Sequence, residues 1–115
     1  MDTNSINIEY IDVNDALSRV GGNMSLYKRL LGRLVDGNLY DELLTALQNG
    51  DVEESTRQAH SLKGVSANLS LVKVNGLSVE LEKLVKEGSD YSSCLDELKQ
   101  AYETTLEQIA ILLNQ

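Results

Sequence analysis

A chain of 115 residues with 42% hydrophobic content has enough apolar material for one core, so residues 1–115 are read as one domain. Ten basic against 18 acidic residues leave a formal charge of -8, which disfavours nucleic acid and anionic membrane surfaces as partners. One histidine and one cysteine cannot build a structural zinc site or an internal disulfide, so no metal site is expected on the chain. Met1 to Tyr10 lacks the basic start and apolar run of a secretory leader, and no apolar stretch reaches membrane-spanning length. A cytoplasmic protein is expected.

The chain has no Pro, Trp or Phe, and its apolar residues are mainly Leu, Val, Ile and Ala, a vocabulary suited to packed helices. Ile6, Ile8, Tyr10 and Ile11 suit a short extended arm or the approach to a helix capped by Asp12 or Asn14. That brief helix runs through Ala16, Leu17 and Val20 and is closed by Gly21 and Gly22. From Ser25 to Gln48, leucines recur at three- and four-residue steps, and Gly37-Asn38 predicts a kink or break between Leu34 and Leu43.

Gly50 and Asp51 mark the clearest boundary, a helix end followed by an N-cap whose capping-box partner is Glu54. The helix that follows carries His60 and runs to about Leu69, after which Ser70 is expected to cap the next one. Val74, Leu77, Leu81 and Leu84 form the apolar stripe of that next helix, which ends at Gly88. Ser89 or Asp90 then caps a last helix with near-heptad positions Tyr91, Leu95, Leu98, Tyr102, Leu106, Ile109 and Leu113. No strand pattern or internal repeat is present. The expected fold is all-α, an antiparallel up-and-down four-helix bundle with a short additional N-terminal helix.

On the histidine helix, Ala59, Leu62, Ser66 and Leu69 form the core stripe, and His60 lies about 100° away from it. Arg57, Lys63, Gly64 and Ala67 share the face of His60 and are basic or very small. Lys63 and Arg57 place positive charge near an anion held by the imidazole. Gly64 weakens the helix interior by about 1 kcal/mol relative to alanine, and close approach to the ring or by a partner is the gain that offsets it. An imidazole offers a nucleophilic ring nitrogen near neutral pH, and phosphoryl transfer needs only positioning and charge neutralisation, without a catalytic triad. The chain has no P-loop or phosphate-cradling glycine loop, so a partner must supply the phosphoryl group and the metal ion.

Ala59-His60-Ser61-Leu62-Lys63-Gly64, followed by Ser66-Ala67-Asn68-Leu69, resembles the histidine-containing phosphotransfer (HPt) domain family. The likeness extends more loosely through Leu17 to Tyr27 and through Leu44, Leu47 and Asp51. It implies a phosphorelay carrier in which His60 accepts the phosphoryl group, Lys63 helps to hold it, and Gly64 admits the receiver domain of a response regulator or hybrid kinase. Mg2+ is then expected on the receiver. Gly64, Ala67 and Asn68, with Arg57, are the expected docking surface of a monomer. Two positions depart from the family pattern: Val65 stands where a small residue is common, and Ser70 where a glycine is common.

Three other readings compete. A helical scaffold would carry His60 as an ordinary surface residue. The dimerisation and phosphoacceptor part of a sensor kinase resembles a pattern with an acidic residue after the histidine, whereas Ser61 follows here. A dimerisation module would use the stripe from Tyr91 to Leu113, although such stripes mostly face their own core. Cys94 is read as a small apolar filler, and Glu53, Glu54, Glu80 and Glu82 as solvated helix faces or caps.

Overall fold

The computed structural model describes residues 10–115, so the expected arm at Ile6 and Ile8 lies outside the described residues. Six helices follow in order: α1 (Val13–Arg19), α2 (Met24–Asp36), α3 (Leu39–Gln48), α4 (Val52–Asn68), α5 (Val72–Glu87) and α6 (Ser92–Leu113). α4 packs between α3 and α5, α6 packs on α5 and α2, and α1 leans on α2. The all-helical bundle is elongated, 44 Å long and 21 Å across.

The helix boundaries follow from local capping chemistry. Asp12, rather than Asn14, starts α1 by accepting the Asp15 backbone N–H at 3.0 Å. Asn23 does the same for α2 through the Leu26 N–H. The break expected at Gly37-Asn38 is complete and separates α2 from α3. Glycine eases a close approach there, because a Cβ on Gly37 would stand 3.0 Å from the carbonyl oxygen of Arg33, tighter than an ordinary contact. Asp51 caps α4 through the Glu54 N–H at 3.0 Å, but only that half of the expected capping box forms. The Glu54 carboxylate instead accepts from Gln58 Nε2 at 2.7 Å and pairs with Arg57.

Ser70 does not cap α5, as sequence suggested; it closes α4 in the left-handed region, with φ 56°. A side chain in that conformation costs about 1–2 kcal/mol, so glycine would be the less strained residue at this place. Here the hydroxyl has a use that glycine lacks. It donates to Asp15 Oδ2 at 2.6 Å, while the Ser70 carbonyl accepts the Asp12 N–H at 2.9 Å. α1 is thereby tied to the end of the histidine helix, and the hydrogen bond from Ser70, with a smaller one from Arg19, holds the Asp15 carboxyl below its usual range.

Tyr27, Leu31, Leu43, Leu62, Leu71, Leu81, Leu98 and Ile109 are fully buried and form the centre of the core. On α5 the buried stripe includes Val85, while Leu84 is only partly buried. On α6 the stripe is rotated from the expected one: Cys94, Leu98, Ala101, Tyr102, Thr105, Ile109 and Leu112 face inward. Tyr91, Leu95 and Leu106 lie at its margin and Leu113 is exposed. Ala101 and Thr105 are buried on this face together with Leu98, Ile109 and Leu112, so the inward stripe includes small and polar positions that apolar spacing alone passes over. Cys94 is a buried filler whose thiol reaches the Leu77 carbonyl, and burial pushes its pKa up.

Tyr27 of α2 fixes the end of α4, because its buried hydroxyl donates to the Leu69 carbonyl at 2.8 Å. Tyr27→Phe keeps the ring but leaves that carbonyl without its donor, and urea unfolding is expected to show a loss of about 1–3 kcal/mol with an unchanged m-value.

Candidate functional site

α4 is held by its buried face, Ser55, Ala59, Leu62 and Ser66, which leaves His60 on the outer side with its side chain 66% exposed. The Ser66 hydroxyl donates back to the Leu62 carbonyl at 2.7 Å. Asn75 of α5 donates through Nδ2 to the Lys63 carbonyl at 2.9 Å and reaches Ser66 Oγ at 3.3 Å. His60 in turn meets Glu82 further along α5, so the two helices run antiparallel with Asn75 pinning the register beside Lys63. On the opposite side of α4, Gln58 reaches Glu42 of α3 at 3.4 Å.

Glu82 is the centre of the site, and its expected place on a solvated face is incorrect: only 6% of the residue is exposed. Its Oε1 accepts from Lys63 Nζ at 2.7 Å. Its Oε2 meets His60 Nδ1 at 3.1 Å and Lys86 Nζ at 3.2 Å. The hydrogen bond from Lys63 is the main cause that pushes the Glu82 carboxyl down to about 2; burial opposes it, and Lys86 and His60 add to it. Glu82 is therefore ionised at neutral pH.

An ionised carboxylate can only accept, so the Nδ1 bonded to it carries the ring proton. In the neutral ring Nε2 then keeps its lone pair, on a side chain that is 66% exposed. The arrangement matches the base-and-orienter pattern of nucleophilic sites, in which a buried acid sets the tautomer of a histidine without reacting itself.

Lys63 does share the face of His60, as expected, but its ammonium is bound to Glu82 and its side chain is 34% exposed. Arg57 is not brought to the cluster: it is 69% exposed and paired with Glu54 one turn earlier. Gly64, Ala67 and Asn68 are all exposed. A Cβ added at Gly64 would meet nothing within 4 Å, so neither the fold nor the imidazole demands a glycine there. Of the two reasons offered for Gly64, crowding of the ring is not supported at the Cβ position. Asn68 and Val65 line an apolar groove with Val20, Leu30, Leu34 and Leu69, rimmed by Arg19 and Arg33.

A family model for the Hpt domain matches residues 37–110 of the 115-residue chain. The chain belongs to the Hpt domain family. The matched part of this Hpt domain starts at the α2/α3 break and includes the histidine helix, Glu82 and most of α6. No curated protein and no solved structure matches the chain. Members of the family transfer phosphoryl groups on histidine within phosphorelays and work with receiver domains. Among the described residues, no helix is long and apolar enough to cross a membrane.

Glu82, Lys86 and Asn75 belong to the site and were not singled out from sequence. Glu82 and Lys86 stand four apart on α5, a spacing visible in the sequence, but such pairs are common on solvated helix faces. Only the seam with α4 distinguishes this one. Glu82 also predicts an acid dependence. Its folded pKa is depressed from 4.5 to about 2, so its contribution to stability is complete above pH 4.5 and lost as pH falls toward 2. Unfolding free energies of Glu82→Gln measured down that range should fall less steeply than those of the parent, and parallel curves would rule out the ionised cluster.

Proposed function

We propose that this Hpt domain carries a phosphoryl group reversibly on Nε2 of His60, to and from an aspartate of a receiver domain. The observation that carries the reading is the pairing of His60 with Glu82: one ring nitrogen, Nδ1, is held as N–H by donating to a buried carboxylate, which leaves the other as the nucleophile on an exposed side chain. In the forward step the Nε2 lone pair forms the N–P bond while the P–O bond of the aspartyl phosphate breaks, its electron pair leaving on the receiver carboxylate. The ring gains the positive charge and keeps its Nδ1 proton on Glu82. The reverse step returns the N–P electron pair to Nε2, so no proton enters or leaves in either direction.

Lys63 supplies charge to the phosphoryl oxygens. Gly64, Ala67 and Asn68 form the floor of the docking surface, with Arg57 at its edge, and the Mg2+ that assists transfer belongs to the receiver. The domain is a cytoplasmic monomer in this reading. Its scaffold is an up-and-down four-helix bundle in which α2 and α3, end to end, make the first helix and α1 is the short extra one. A purely scaffolding role leaves Gly64 unexplained, since a side chain fits there and would strengthen the helix.

Incubation with phosphorylated receiver domains tests the reading: acid-labile, base-stable phosphate is expected on the parent and not on His60→Gln, and absence of label from every receiver of the source organism would refute it. Gly64→Ala separates folding from docking. It should stabilise the domain by about 1 kcal/mol in denaturant titration while slowing transfer from the receiver.

A further inference from the structure

One carboxylate in this site faces two ammonium groups and a ring N–H. Lys63 occupies Oε1 of Glu82 alone, whereas Lys86 Nζ and His60 Nδ1 share Oε2 at 3.2 and 3.1 Å. Sharing one oxygen means that the Lys86 ammonium and the imidazole can be no further apart than two hydrogen bonds laid end to end. The Lys86 side chain is 59% exposed, so its ammonium can leave Glu82 at little cost in packing. With His60 neutral, the cluster holds two positive charges against one negative, a surplus that Glu82 does not use.

Arg57, the second cation expected on the histidine face, is engaged by Glu54 and leaves that role open. We infer that Lys86 fills it: α5 supplies a second phosphoryl-binding ammonium, and Glu82 keeps both lysines beside His60 until the phosphoryl group arrives. The inference rests on His60 being the acceptor. Charge counting supports it. A phosphoryl group brings about two negative charges at neutral pH, enough to draw both ammoniums off a single carboxylate. Glu82 is not left alone when they go, because His60 Nδ1–H stays on Oε2 and the ring is positive once Nε2 has bonded to phosphorus. Two lysines then answer the phosphoryl group and the imidazolium answers Glu82, which leaves the cluster neutral.

Lys86 differs from Lys63 in where it stands. Lys63 belongs to the histidine helix and moves with the acceptor, whereas Lys86 approaches from α5 across the seam. The two ammoniums therefore reach the phosphoryl oxygens from different sides, which restrains the group in the orientation needed for in-line departure.

Phosphoramidate provides a test that needs no receiver. Nε2 forms the N–P bond as the P–N bond of phosphoramidate breaks, and that electron pair leaves with nitrogen as ammonia. Initial labelling rates of the full chain are compared for the parent, Lys86→Ala, Lys86→Arg, His60→Gln and Lys99→Ala, an exposed lysine on α6, with thermal melts verifying that each is folded. Lys86→Ala is expected to be about three- to fivefold slower at low salt, with the deficit shrinking near ~0.5 M salt as the charge is screened. Lys86→Arg should recover most of the rate and Lys99→Ala should match the parent. A parent that labels on His60 with Lys86→Ala equally fast would overturn this inference alone. So would a deficit that Arg does not recover and salt does not change, since that pattern is structural. A parent that takes up no label, or labels as well when His60→Gln is made, would overturn the His60 assignment and the role of Lys86 with it.

Discussion

A buried carboxylate is unfavourable unless donors surround it, and Glu82 is surrounded by three: Lys63, Lys86 and the His60 ring. The geometry of this Hpt domain's site depends on that requirement. Removing Glu82 from water makes its hydrogen bonds strong enough to fix the tautomer of His60 and to localise two flexible lysines that would otherwise sample solvent. The donors come from two helices, so the ion cluster is also a register lock between α4 and α5, working alongside the bond from Asn75 to the Lys63 carbonyl. A shift of α5 by one residue would take Glu82 off the seam and separate the imidazole from its acid.

The remaining structure holds α4 steady while leaving its outer face open. Tyr27 grips the Leu69 carbonyl from α2, and Ser70 accepts a strained backbone conformation at the helix end in exchange for bonds to Asp12 and Asp15 of the α1 region. Both contacts lie at the C-terminal end of the histidine helix, close to the exposed Ala67 and Asn68. Rigidity below and exposure above are what a surface nucleophile needs if it is to meet a second protein without losing its orientation. Gly64 belongs to the same division, since its place in the middle of a helix weakens that helix and nothing within the chain uses the space.

Net charge sets a second constraint. The chain is acidic overall, at -8, yet the immediate surroundings of His60 carry a positive surplus from Lys63 and Lys86. Beyond about 10 Å that local surplus is screened and the acidic whole dominates, so polyanions are repelled at long range while a phosphoryl group delivered to contact distance is attracted. Such a field favours a phosphoryl group presented by a protein over one carried on a nucleic acid.

The sequence by itself determined the helical class, several of the helix boundaries and the position of His60 off the core stripe. These depend on local chemistry: Asp12 and Asp51 cap through backbone groups three residues away, Gly37 and Gly88 end helices where they stand, and the 3.6-residue period separates Ala59 and Leu62 from His60. The Ala59–Gly64 motif also carried the family. Tertiary structure alone decided the role of Glu82, the use of Lys86, the diversion of Arg57 to Glu54 and the work of the Ser70 hydroxyl. It also decided which face of α6 turns inward, a face that takes in Ala101 and Thr105, which apolar periodicity does not single out. The physical reason is common to all of these: a solvated glutamate and a buried orienting one look the same along the chain, and they differ only in what the neighbouring helix places against them.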